Sequence, residues 1–139
     1  MLALDNKLAY LTYHAYSEFI IYPYSSSYSA EAHNKGELDM VASMMVANIE
    51  VWINRTRVVL ILFKDVHGKK YRYGEGANAF YPASGGSDDW SHSKANIDLS
   101  FTIELRDTGT YAFLLPESQL IPNAEENMEG IRAVIDYIR

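Results

Sequence analysis

Between Leu99 and Leu105 the chain alternates without a break: Leu99, Phe101, Ile103 and Leu105 are apolar, and Ser100, Thr102 and Glu104 between them are polar. Successive side chains of a β-strand point to opposite faces, so this pattern fits a strand with one face on a core. Any fold for this chain must therefore supply a sheet covered on one side here. Glu104 must project from the other side. Taken alone, it reads as a charge on the wet face of that sheet.

The remaining elements are placed by the same reasoning. Leu8–Tyr13 reads as a short aromatic-rich strand with His14 immediately after it, and Phe19–Tyr22 as a second, closed by Pro23 and the serine-rich segment beyond. From Gly36 the period becomes helical. Leu38, Val41, Met45 and Ile49 recur along one face, and the paired methionines Met44 and Met45 are expected to fill core. Tyr71–Tyr73 is a candidate strand, and Gly74, Gly76, Pro82, Gly85 and Gly86 mark a long irregular loop. The chain ends in a predicted helix that Asn123 can cap, with Glu126 at capping-box spacing and Met128, Ile131, Ile135 and Ile138 along one face. Strands mixed with helices at these lengths make an α/β domain, a mixed β-sheet flanked by helices.

With 139 residues the chain is long enough for one domain and its core, and 48% apolar with 22% charged residues is a globular composition. A net charge of −6 argues against nucleic acid as a partner, because phosphate binding wants clustered Lys and Arg. The absence of cysteine excludes both a disulfide framework and a thiolate metal site. The first residues, MLALDNKLAYL, lack a basic start and a cleavage site, so no signal peptide is expected in this chain. The longest apolar run, Val58–Phe63, is too short to span a bilayer. Neither a GxxxxGK[ST] phosphate loop nor a GxSxG elbow is present.

Three stretches, taken in order, point further: LAYLTYHAYSEFIIYPYS at 8–25, YRYGEGANAFYPASGGSDDW at 71–90, and LSFTIELRDTGTYAFLLPESQLIPNAEE at 99–126. Together they resemble the zinc metallocarboxypeptidases of the pancreatic carboxypeptidase A/B family, over most of the chain. By themselves the residues read more plainly. His14 is a strand-end histidine, Asp88 and Asp89 suit a solvated helix start, and Tyr81 is one of 11 tyrosines.

The resemblance implies roles residue by residue. His14 matches the family's last zinc ligand. Tyr16 lines the substrate cleft, Tyr81 is the mobile tyrosine that closes over substrate, and Phe113 stands at the wall of the specificity pocket. Glu104 matches the catalytic glutamate, the general base that takes a proton from zinc-bound water and later gives one to the leaving amine; such a water has its pKa lowered to roughly 7. Ser25, Gly76 and Asp88 fall on the positions that separate B-type from A-type enzymes. Asp88 at the pocket's base implies a preference for substrates ending in Lys or Arg, since charge-assisted bonds contribute about 1.5–3 kcal/mol each. The expectation is a B-type enzyme acting on peptides or proteins with such C-termini, extracellular like its family.

Two departures bear on that expectation. The family's His-x-x-Glu zinc pair has no counterpart: His33, His67 and His92 are the other histidines, and none has a glutamate three residues later. The arginine that stabilises the oxyanion and the Asn-Arg pair that grips the terminal carboxylate are absent too. The chain therefore reads as a truncated catalytic domain, the C-terminal half of the fold over 1–139. It is expected to be inactive alone and to need the N-terminal half, because a catalytic zinc needs about three protein ligands. Second, Val51–Lys64 (VWINRTRVVLILFK) interrupts the family spacing, and its second half is β-prone where a helix is being built. One reading is a retained intron, since the segment keeps the reading frame. Its rival is a true inserted hairpin or extended helix, with Asn54-Arg55-Thr56 as a glycosylation acceptor. A further expectation from the resemblance is a cis peptide between Ala15 and Tyr16. The alternative to the enzyme reading is a non-catalytic binding or interaction fragment, or a misread gene.

Overall fold

The computed structural model describes residues 6–59 and 69–139, with backbone alone over 51–59. Four strands form one mixed sheet in the order β1-β4-β2-β3: β1 (Ala9–Ala15), β2 (Phe19–Tyr22), β3 (Arg72–Glu75) and β4 (Leu99–Leu105). β1 runs parallel to β4, β4 antiparallel to β2, and β2 parallel to β3. The strand predicted from alternation alone matches β4 at both ends. It lies between two neighbours, which is why its apolar face is so fully used. Leu99, Phe101 and Ile103 are buried there with Ile20 and Tyr22 of β2.

That face is covered by α1 (Lys35–Val59), whose Leu38, Val41, Met45 and Ile49 enter the core as their spacing predicts. Of the paired methionines only Met45 is interior; Met44 lies at the surface. Helix α1 runs through the first part of the atypical segment to Val59, and residues 60–64 of that segment lie outside the described residues. The last helix, α4 (Leu120–Ile138), packs against α1 and follows a short 3₁₀ turn at Glu117–Gln119.

Helix α4 departs from the expectation in two ways. It starts at Leu120 rather than after Asn123, because Pro122 falls in the first turn, where no backbone hydrogen bond is lost. Asn123 and Glu126 are thus inside the helix and do not form a capping box. Its fully buried positions are also not those of the apolar row, although Ile138 of that row packs against the core. Met128 and Ile135 are 48% and 42% exposed, whereas Gly130, Ala133 and Val134 face inward. The small residues win because the helices meet closely: a Cβ on Gly130 would stand 3.5 Å from Ile49 and 3.7 Å from Met45.

Other boundaries shift for local reasons. β1 extends two residues past Tyr13, so His14 is inside the strand, because the ladder with β4 continues to Ala15↔Leu105. β3 begins at Arg72 and runs to Glu75, paired with β2 throughout. The glycine-marked stretch contains a single helical turn, α2 (Gly76–Ala79), before α3 (Ser87–Ser93). Among the described residues no helix is long and apolar enough to cross a membrane.

Candidate active site

The polar face of β4 is where the chemistry collects. Ser100, at one end, is buried against α3, its hydroxyl 3.0 Å from that of Ser91, so this end of the face is not wet. Thr102 and Glu104, at the other end, open into a cleft. The parallel register places His14 of β1 directly beside Glu104, and the antiparallel register places Phe19 of β2 on its other side. Nδ1 of His14 lies 3.1 Å from Oε1 of Glu104 and 3.4 Å from Oε2. The imidazole is 67% exposed and the carboxylate only 14%. Burial raises the pKa of Glu104, and the adjacent His14 opposes that shift.

A cavity of about 300 Å³ lies over this pair, lined among others by Thr12, His14, Ser25, Asp88, Thr102 and Glu104. A second, of about 160 Å³, shares Ile21, Ser25, Ala83 and Glu104 with the first and adds Gly76, Phe80 and Tyr81. The shared walls make the two one cleft, with Glu104 and Ser25 in both halves. Six of the eight sequence-predicted site residues thus come together: His14, Ser25, Gly76, Tyr81, Asp88 and Glu104.

Asp88 is the unusual wall. It is 3% exposed, and its Oδ2 has no hydrogen-bond partner among the described residues. Burial raises its pKa, and the neighbouring charge of Asp89 adds to the rise. The solvated helix start that the residues alone suggested is therefore replaced by a dry one. Gly76 is needed opposite Ser25, because a Cβ there would sit 1.8 Å from the Ser25 hydroxyl. Tyr81 is largely exposed, at the rim.

Tyr16 and Phe113 do not line either cavity. They pack on each other edge to face, ring centroids 5.3 Å apart, with Phe113 exposed. The peptide joining Ala15 to Tyr16 is cis, as are those at Pro23-Tyr24 and Arg106-Asp107. Thr102 and Asp89 were not singled out from sequence. The alternation that found Glu104 also places Thr102 on its face, two residues earlier. Asp89 carries no such signal, because its contacts are to backbone far away in the chain: it accepts N–H bonds from Ser25 (2.9 Å) and Ser26 (3.0 Å).

For a metal, the described residues offer one imidazole and one carboxylate at this point. No group of three or more His, Asp or Glu side chains among them is arranged to hold an ion. A zinc held by three protein ligands is not supported by these residues alone.

The chain matches the zinc carboxypeptidase family over residues 3–130. It is 45% identical to carboxypeptidase B of Homo sapiens, an alignment covering 97% of this chain and 30% of that protein. Carboxypeptidase B of Astacus astacus is 37% identical, with 96% of this chain and 39% of that protein covered. Among solved structures, bovine thrombin-activatable fibrinolysis inhibitor in complex with tick carboxypeptidase inhibitor superposes with a TM-score of 0.79 at 36% identity, covering 94% of this chain and 39% of that one. The chain thus spans well under half the length of the relatives it matches.

Proposed function

Because the chain belongs to the zinc carboxypeptidase family, we propose that it supplies the base, the specificity pocket and one zinc ligand of a B-type carboxypeptidase that removes C-terminal Lys or Arg from peptides. Zinc, when bound, polarises the scissile carbonyl and the attacking water. His14 is this chain's candidate donor to it, and the remaining donors come from outside the described residues. Glu104, half-buried at the cleft wall, takes the proton of the attacking water and passes it to the departing amine. Tyr81 at the rim closes over the peptide, and Tyr16 with Phe113 forms an aromatic wall outside the two cavities. An extracellular setting follows from the family.

The single observation that carries this reading is Asp88. A carboxylate with an unpartnered oxygen lines the same cavity as Glu104. Leaving it unpaired is costly, and a substrate ammonium or guanidinium would satisfy it. Calorimetric titration with short peptides differing only in a C-terminal Lys, Arg or Leu tests this. The basic peptides should bind roughly ten- to a hundredfold more tightly, from about 1.5–3 kcal/mol per charge-assisted bond. Asp88→Asn should erase the difference, and equal affinity in the unsubstituted chain would refute the B-type reading.

The second reading, a binding module that holds basic C-termini without cutting them, has one observation in its favour. Among the described residues His14 is the cleft's single imidazole. Tight binding of a Lys-ended peptide with no release of lysine when zinc is supplied would select it.

A further inference from the structure

Asp88 and Asp89 are adjacent, both buried, and differently employed. Asp88 lines the cleft, and its Oδ2 is buried with no hydrogen-bond partner among the described residues. Asp89 uses both of its oxygens on the segment after β2, one on the N–H of Ser25 and one on the N–H of Ser26. The same segment is tied twice more, by the N–H of Ala77 to the carbonyl of Tyr24 (3.1 Å) and by the N–H of Ala83 to the carbonyl of Ser25 (2.7 Å). Ser25 is a wall of both cavities, so whatever fixes its backbone fixes the cleft. Of the three ties, only the one from Asp89 reaches from the helix that carries Asp88.

We propose that Asp89 is the positioning residue of the specificity pocket: it holds the Ser25–Ser26 backbone to α3, so that Ser25 and Asp88 stand at a fixed separation around an incoming basic side chain. This rests on the pocket reading above and adds a residue to it. Asp89 touches no substrate. Both of its oxygens are engaged by backbone amides, and of the two aspartates Asp88 is left as the one with an unpartnered oxygen. The other titratable groups around the pair are His14 and Tyr13 of β1, Glu104 of β4 and Tyr81, which line the same cleft, His92 of α3, and Tyr24, which packs on His92 and whose hydroxyl pKa is raised by burial and then by Asp89. Among the described residues, neither Lys nor Arg lines the cleft.

The test uses the full chain and two readouts. The first needs no substitution. In a pH titration followed by NMR, the amide protons of Ser25 and Ser26 should move together with the carboxyl carbon of Asp89, because both donate to it. The Asp88 carboxyl, whose pKa burial raises, should not be tracked by those amides. Amides that follow Asp88, or that do not move, overturn the proposal whatever the fate of any variant.

The second is Asp89→Asn, in which a carboxamide presents N–H groups where one amide needs an acceptor. Exchange of the Ser25 or Ser26 amide should quicken at least tenfold, and the Asp88 midpoint should move down as a like charge leaves its side. The Lys-over-Leu peptide preference should shrink at least tenfold. A uniform loss of affinity for both peptides, with the Asp88 midpoint unmoved, would mark Asp89 as merely structural and overturn the proposal. If the unsubstituted chain shows no Lys preference but the amides still track Asp89, the backbone grip is supported and the B-type reading alone falls.

Discussion

Gly76→Ala is the substitution whose cost the geometry fixes most tightly. The added methyl would stand 1.8 Å from Oγ of Ser25, 2.8 Å from its Cβ and 3.0 Å from Cγ2 of Ile21. A rotamer change of Ser25 removes the first clash but not the second, since Cβ moves only with the backbone. That backbone is gripped by Asp89 at 2.9 Å through its N–H and by the N–H of Ala83 at 2.7 Å through its carbonyl. Inserting a methylene-sized group into a packed site of this kind costs about 1–3 kcal/mol, and the fixed backbone puts this case toward the upper end.

Urea denaturation of four proteins isolates the effect: the unsubstituted chain, Gly76→Ala, Ser25→Gly and the double variant. Ser25→Gly removes both of the nearest atoms and leaves only the Ile21 contact, which a shift of a few tenths of an ångström relieves. The double variant should therefore recover most of the loss, with a coupling energy of about 1–2 kcal/mol, well beyond the roughly 0.3–0.5 kcal/mol within which independent sites add. Coupling inside that margin, or a Gly76→Ala cost below about 0.5 kcal/mol, would refute the claim that Gly76 and Ser25 are in van der Waals opposition across the cleft.

Three further outcomes are expected. Arg106 donates through both Nε (2.8 Å) and its terminal nitrogen to Glu126, and both residues are buried; removing either alone should cost about 3–5 kcal/mol in urea unfolding, whereas a well-packed Met–Leu replacement of both should cost far less. Asp88→Asn should stabilise the fold at neutral pH by on the order of 1 kcal/mol. Because the folded chain holds the Asp88 proton at higher pH than the unfolded chain does, stability falls as pH rises from the ordinary aspartate range through the raised folded value, and the variant should lack that fall in pH-dependent melts. Glu104→Gln, assayed with zinc supplied and all of the protein's ligands present, should lower turnover of a Lys-ended peptide by roughly 10²–10⁴ while leaving its binding nearly unchanged.

The parts of this architecture that the sequence displayed were those whose cause is local. β4 is legible because a strand half-buried on one face must alternate, and the face that hides Phe101 must present Glu104. Helix α1 is legible for the same kind of reason at a different period. Helix α4 misled because its most apolar row is not its buried row: Gly130 and Ala133 earn their interior place by letting α1 approach, a property of the partner rather than of the helix. Glu126 misled similarly, since capping-box spacing describes a neighbour three residues away, and its actual partner, Arg106, is on another element.

The cleft divides along the same line. Glu104 and His14 are both strand residues, so their meeting reduces to one number, the register that pairs them. No residue in either strand states that register; the ladder between them does. Asp89 is harder still. It resembles an ordinary first-turn aspartate, and only the return of the chain after β2 brings two backbone amides to it. A buried carboxylate next to a second one is a conflict when viewed along the sequence, since each raises the cost of ionising the other. In space the conflict is resolved unequally: Asp89 accepts two backbone N–H bonds from the segment after β2, and Asp88, with one buried oxygen unpartnered among the described residues, lines the cleft. That asymmetry is written in the fold rather than in the dipeptide.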